Sequence, residues 1–128
     1  MDKHNEEKDF IKIEVKELID WNEPNGEGCI VSDKITKDGY KVGYMYREEP
    51  SMDMPDSGWR FMAGNEDDEY MNNSLNHHIF AINTICNYDP DIIPYLHSKI
   101  GSTYIRVDNK SFELDDRTKP IFIDKQER

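Results

Sequence analysis

Apolar and polar side chains alternate near the start of the chain, where Ile11, Ile13 and Val15 interleave with Lys12, Glu14 and Lys16. A period of two is that of a half-buried strand, so a strand is expected from Phe10. Leu18, Ile19 and Trp21 break the alternation, and a helix over Phe10 to Ile19 is the alternative. Pro24, Asn25, Gly26 and Gly28 then form a dense turn cluster, after which the core is expected to begin. Cys29-Ile30-Val31 reads as a short buried strand, and Lys37-Asp38-Gly39-Tyr40 as a hairpin turn into a second strand, Lys41 to Arg47. Glu48 to Ser57 carries Pro50 and Pro55 and is expected to be loop, and Gly58 to Gly64 resumes the strand pattern. Trp59 and Phe61, two residues apart, fall on one face of that strand and are expected to be buried, with Arg60 pointing away.

In the second half, Glu66-Asp67-Asp68-Glu69-Tyr70-Met71 has the acidic first turn of a short helix. Ile79 to Ile82 is apolar and fits either class. Asp89-Pro90 has the chemistry of an N-cap followed by proline at the first helical position, with Pro94 placed in the first turn. Thr103 to Val107 and Ser111 to Leu114 alternate on either side of Asp108-Asn109-Lys110 and predict a hairpin, and Pro120 to Ile123 predicts a last edge strand. The expected architecture is α+β: a small mixed, mainly antiparallel sheet with a few short helices in the second half. Residues 1–9 read as a solvated leader, 10–123 as a single domain and 124–128 as a tail.

Charge narrows the function. Twenty-seven Asp and Glu against 16 Lys and Arg leave a net charge of -11. Such a field disfavours direct contact with nucleic acid or an anionic membrane surface and favours a basic protein partner. The opening residues lack the apolar core of a signal peptide, and no apolar run approaches the length of a membrane span, so a cytoplasmic location is expected. Cys29 and Cys86 are isolated in sequence and are expected to be free, buried thiols.

Catalytic signatures are missing from the 128 residues: there is no GxGxxG, no GxxxxGK[ST] and no GxSxG. His77 and His78 are adjacent and therefore point apart, which ill suits them to one metal ion. No catalytic residue, metal or cofactor is expected. Tyr44, Tyr46, Trp59 and Phe61 sit at strand spacing, with core packing as the default and a surface aromatic hot spot as the alternative. Arg47-Glu48-Glu49 reads as an exposed charge group, in which Arg47 is positioned to pair with a carboxylate such as Asp56.

Three longer motifs occur in order: Tyr46-Arg47-Glu48-Glu49-Pro50, Asp56 to Glu66 (DSGWRFMAGNE), and Asn83 to Leu96 (NTICNYDPDIIPYL). Together they resemble a bacterial family, formerly a domain of unknown function, now grouped with the immunity proteins of polymorphic toxin systems. The resemblance covers residues 29–106 and implies a cytoplasmic protein that neutralises a cognate toxin by occluding it. Two segments depart from the family pattern: Asn65 stands where Asp is common, and Phe80-Ala81 where Tyr-Asp is common.

On this reading the partner-binding candidates are Glu66, Asp67, Asp68, Glu69, Arg47, Glu48, Asn87 and Asp89, while Trp59, Phe61, Pro90 and Pro94 are structural. If the cognate toxin is a basic nuclease domain, the charge of this chain would speed encounter and mimic the nucleic-acid backbone. The competing readings are a small-molecule hydrolase using Arg47, Glu48, Asn87 and Asp89, and a stand-alone regulatory binding module.

Overall fold

The computed structural model describes residues 8–115. Residues 1–7 of the expected leader, the expected strand at Pro120 to Ile123 and the tail lie outside the described residues. In chain order the elements are β1 (Gly28–Ser32), α1 (Asp33–Thr36), β2 (Tyr44–Arg47), β3 (Trp59–Met62), α2 (Asp68–Met71), a 3-10 turn (Ser74–Asn76), β4 (His77–Ala81), α3 (Ile82–Tyr88), a 3-10 helix (Pro90–Tyr95), β5 (Thr103–Arg106) and β6 (Phe112–Leu114). The six strands form one sheet in the order β4-β1-β3-β2-β5-β6. Among the described strands, only the β1–β3 pairing is parallel. The fold is the small α+β type that the pattern predicts, and the β5–β6 hairpin closes through Asp108, whose side chain accepts from the Lys110 and Ser111 amides.

Two of the strand expectations fail. β1 and β2 are not a hairpin, because β3 lies between them and pairs with both. The Ser32 hydroxyl caps α1 by accepting from the Lys34 amide, so the chain leaves β1 into a helical turn instead of folding straight back. Residues 10–19 form neither strand nor helix. Apart from the Ile11 amide, which donates to the Thr36 carbonyl, the hydrogen bonds of their backbone groups come from side chains instead of a ladder. Asn87 Oδ1 accepts from the Lys16 amide, and Asn83 Oδ1 accepts from those of Leu18 and Ile19. The Nδ2 groups of both asparagines donate to the Lys16 carbonyl, and the Tyr88 hydroxyl donates to that of Ile11. Asn83 and Asn87 are one helical turn apart on α3 and so share a stripe. The segment is a strap tied across that helix.

One sheet face builds the core. Cys29, Val31, Met45, Trp59 and Phe61 cluster with Ile82, Ile85 and Cys86 of α3 and with Ile92 and Leu96 of the 3-10 region. Ile82, Ile85 and Cys86 follow the i, i+3, i+4 spacing of a buried helical stripe. The Trp59 and Phe61 rings stack with centroids 5.7 Å apart, and Trp59 Nε1 donates to the Leu96 carbonyl. Both aromatic residues are buried on one face of β3, as their spacing predicts.

The third motif does structural work throughout. Asp89 caps the 3-10 helix by accepting from the Asp91 amide, and Pro90 occupies its first position. Pro94 sits near the end of this helix, not in its first turn, with Ile92 packed into the core. Ala81 holds the N-cap of α3 without a side-chain bond, and Glu27 Oε2 accepts from the Asn83 amide in its place. The absence of a carboxylate at position 81 is thus compensated from another element.

Candidate functional site

The register of β2 with β3 and β5 sends side chains to opposite faces. Met45 pairs with Phe61 and Arg47 with Trp59 on the core side, whereas Tyr44 pairs with Met62 and Ile105, and Tyr46 with Arg60, on the other. The tyrosines therefore do not share the core with Trp59 and Phe61.

Loop residues 48–58 cover part of this second face, and a buried ion pair pins them. Arg60 Nη1 and Nη2 donate to the two oxygens of Asp56, each at 2.9 Å, and Arg60 Nε donates to Glu48 at 2.6 Å. Asp56, with no exposed surface, also accepts from the Ser51 and Gly58 amides. Burial pushes its carboxyl up, but these hydrogen bonds and the Arg60 charge outweigh that and hold it at about 2. Gly58 completes the turn at a φ of 91°, where an added Cβ would stand 2.2 Å from the Glu48 carbonyl oxygen. Only glycine meets both demands.

Beyond the loop the face is open as a groove of about 800 Å³, floored by Tyr44, Tyr46, Met62 and Ile105 and edged by Met71, Glu66 and Asp115. The tyrosine rings lie 5.7 Å apart. Burial raises both phenols, reinforced by the Asp115 charge at Tyr44 and the Glu48 charge at Tyr46. Glu66 accepts from the Ala63 amide at 2.8 Å and the Gly64 amide at 2.9 Å. Burial pushes its carboxyl up, and hydrogen bonds from Ser32 and these two amides more than offset that, so it is held below the usual carboxylate range.

The predicted site residues separate. Arg47 is buried, not exposed, and does not reach Asp56; it donates to the Ser57 and Ser98 carbonyls and, at 2.6 Å, to Glu23. The partner of Asp56 is Arg60 because the loop folds back over the face to which Arg60 points. Glu48 is half-exposed beside Arg60. Asn87 ties down the strap. Asp89 is buried, with Oδ2 accepting from the Val42 amide and from Arg106 Nη2. Each of Arg47, Asn87 and Asp89 thus has a fold-building role, and the four residues of the hydrolase reading do not converge. In the acidic run, Asp67 caps α2 by accepting from the Tyr70 amide, Glu66 edges the groove, and Asp68 and Glu69 are exposed.

Cys29 and Cys86 are free and buried. Burial pushes the Cys29 thiol well up and the Cys86 thiol to about 12, with neighbouring negative charge adding to both. Neither has the lowered pKa of a nucleophilic thiol. His77 and His78 diverge: His78 Nδ1 lies 2.7 Å from Asp33, and the His77 ring packs edge-on against Tyr70. Among the described residues, no three His, Cys, Asp or Glu side chains form a group that could hold a metal ion. No helix among them is long and apolar enough to cross a membrane.

Sequence reasoning missed the groove and the cluster around Glu23. Alternation in Tyr44-Met45-Tyr46-Arg47 carried the signal for the groove, since it places the tyrosines opposite Met45. Nothing local marks Glu23, which bridges Arg47 and His97 Nδ1 while Trp21 stacks on the His97 ring at 5.1 Å.

Comparison with protein families matches residues 29–115 to the immunity protein Imm33 domain. The matched segment includes the loop ion pair, the groove and α3, and begins after the strap. No curated protein and no solved structure matches the chain.

Proposed function

The chain belongs to the Imm33 immunity-protein family, and from that premise we propose that it neutralises a cognate bacterial toxin by binding and occluding it, without catalysing a reaction. The family match over residues 29–115 carries the reading. The division of labour in the site supports it, since the polar motif residues Arg47, Asn87 and Asp89 hold the fold together and the open face is aromatic and carboxylate-edged. The net charge of -11 would speed encounter with a basic toxin, and a nuclease domain, whose own substrate is a polyanion, fits that description. The same charge opposes direct nucleic-acid binding. The chain would act in the cytoplasm, where a nuclease reaches its target. Asp68 and Glu69, exposed beside the groove edge, are assigned to steering that encounter.

Co-expression tests the proposal. The toxin domain encoded at the same locus is induced in a naive bacterial host with and without this chain. Restored growth together with a co-purifying complex is the expected result. Growth arrest undiminished by well-expressed chain would refute it.

A further inference from the structure

We infer that the groove over β2, β3 and β5 is the surface that grips the partner, and that the partner fills it with an arginine or lysine side chain carried on an apolar protein segment. The inference rests on the toxin-binding reading and names the surface and its chemistry.

The two sheet faces are treated differently by the fold. Helix α3 and the 3-10 helix cover one, and loop 48–58, pinned by Asp56, covers part of the other. Tyr44, Tyr46 and Ile105 remain partly exposed. They are large apolar groups in adjacent cross-strand positions, which form one continuous patch instead of scattered surface residues.

The electrostatics specify the occupant. Among the described residues, none that lines the groove is basic. The Arg60 guanidinium on this face is already neutralised by Asp56 and Glu48. Glu66 is held as a carboxylate at the groove edge by the Ser32 hydroxyl and by the Ala63 and Gly64 amides, so its negative charge faces an incoming cation. Asp115 adds its charge beside Tyr44. A cation entering here meets the faces of two tyrosines, an attraction that strengthens with desolvation. Its aliphatic stem lies along Met62 and Ile105, as long basic side chains do on apolar ground. Met71 at the edge is unbranched and adapts to a neighbouring apolar residue of the same segment. A phosphate or acidic ligand would face the negative charge of Glu66 at the same place.

The experiment has two arms. In the first, a catalytically inactive toxin domain from the same locus is titrated with the wild-type chain, with Tyr44→Ser/Tyr46→Ser, with Glu66→Gln, and with the control Glu17→Gln on the strap, each checked for an intact melting transition. The tyrosine variant is expected to lose at least ~10-fold in affinity, as hot-spot aromatics do, and Glu66→Gln to flatten the salt dependence, while the control binds like wild type. Equal affinities for folded groove variants and wild type overturn the inference and leave the proposed function standing.

The second arm needs no toxin. Hexa-arginine amide is titrated into isotopically labelled chain, and backbone amide shifts are followed by NMR. Shifts concentrated at residues 43–46, 62–66 and 103–106, and lost in the tyrosine variant, support the groove. Shifts spread evenly over exposed acids such as Glu17, Asp20 and Asp53 overturn it, even if the chain protects cells.

Discussion

Replacing Asp56 with Asn tests the link between the second motif and the architecture of the open face. The two side chains have the same shape, so the change removes charge and little else. Asp56 accepts four hydrogen bonds, two from Arg60 and one each from the Ser51 and Gly58 amides. Asparagine offers one oxygen, and its NH2 would face donors. The Arg60 guanidinium, itself buried, keeps only half-exposed Glu48 as a counter-ion. Removing one partner of a buried pair costs about 3–5 kcal/mol. For a domain of this size that is a fall in Tm of roughly 10–20 °C. The acid limb gives an independent signature. Because the Asp56 carboxyl is lowered to about 2 in the fold, its contribution is fully present above the ordinary carboxylate range and is lost as pH falls from about 4 towards 2. The shift corresponds to about 2 kcal/mol. Urea unfolding followed by tryptophan fluorescence at pH 7, 4 and 2.5 measures both effects. Wild type should lose stability steeply over the acid limb, and Asp56→Asn should start lower and lose less. A variant within about 1 kcal/mol of wild type at pH 7, with the same acid profile, would refute the role assigned to the pair.

Other substitutions probe the core, the strap and the thiols. Trp59→Ala removes the fully buried ring stacked on Phe61 and should cost about 3–5 kcal/mol in the same unfolding assay; a cost below about 1 kcal/mol would contradict core packing. Asn83→Ala/Asn87→Ala removes the acceptors for the Lys16, Leu18 and Ile19 amides, so hydrogen exchange at these three should accelerate while that at Val31 and Phe61 changes less. Unchanged protection at the three would show that the strap does not depend on α3. Cys29 and Cys86 should resist iodoacetamide in folded protein at pH 8 and react quantitatively in urea, with mass spectrometry reading the adducts; rapid native labelling or a disulfide would oppose the buried-thiol assignment.

The periodic parts of the chain were legible and the long-range pairings were not. Trp59 and Phe61 declare a buried strand face by spacing alone, and Asp89-Pro90 declares a capped helical turn by residue chemistry. The insertion of β3 between β1 and β2 depends on a parallel pairing for which no local residue pattern exists. The alternation at Ile11, Ile13 and Val15 misleads because it records a segment lying against the protein surface, tied at Ile11 by Tyr88 and the Thr36 carbonyl and at Lys16, Leu18 and Ile19 by Asn83 and Asn87, which lie more than 60 positions away. For the candidate site, the motifs that identify the family also drew attention to Arg47, Asn87 and Asp89, which hold loops and strap in place. Tyr44, Tyr46 and Ile105 sit in ordinary strand patterns, and only the register shows that they meet on an uncovered face.

Titrating toxin activity against added chain tests the central claim most directly. A binder that occludes its target inhibits by stoichiometry, so activity of the purified toxin domain, held well above the dissociation constant, should fall linearly and reach baseline at a fixed molar ratio, with active toxin recovered when the complex is unfolded and the toxin refolded alone. Inactivation by substoichiometric chain, progressing with time and leaving chemically altered toxin, would show catalysis in place of occlusion. Full toxin activity in the presence of excess folded chain would contradict the account altogether.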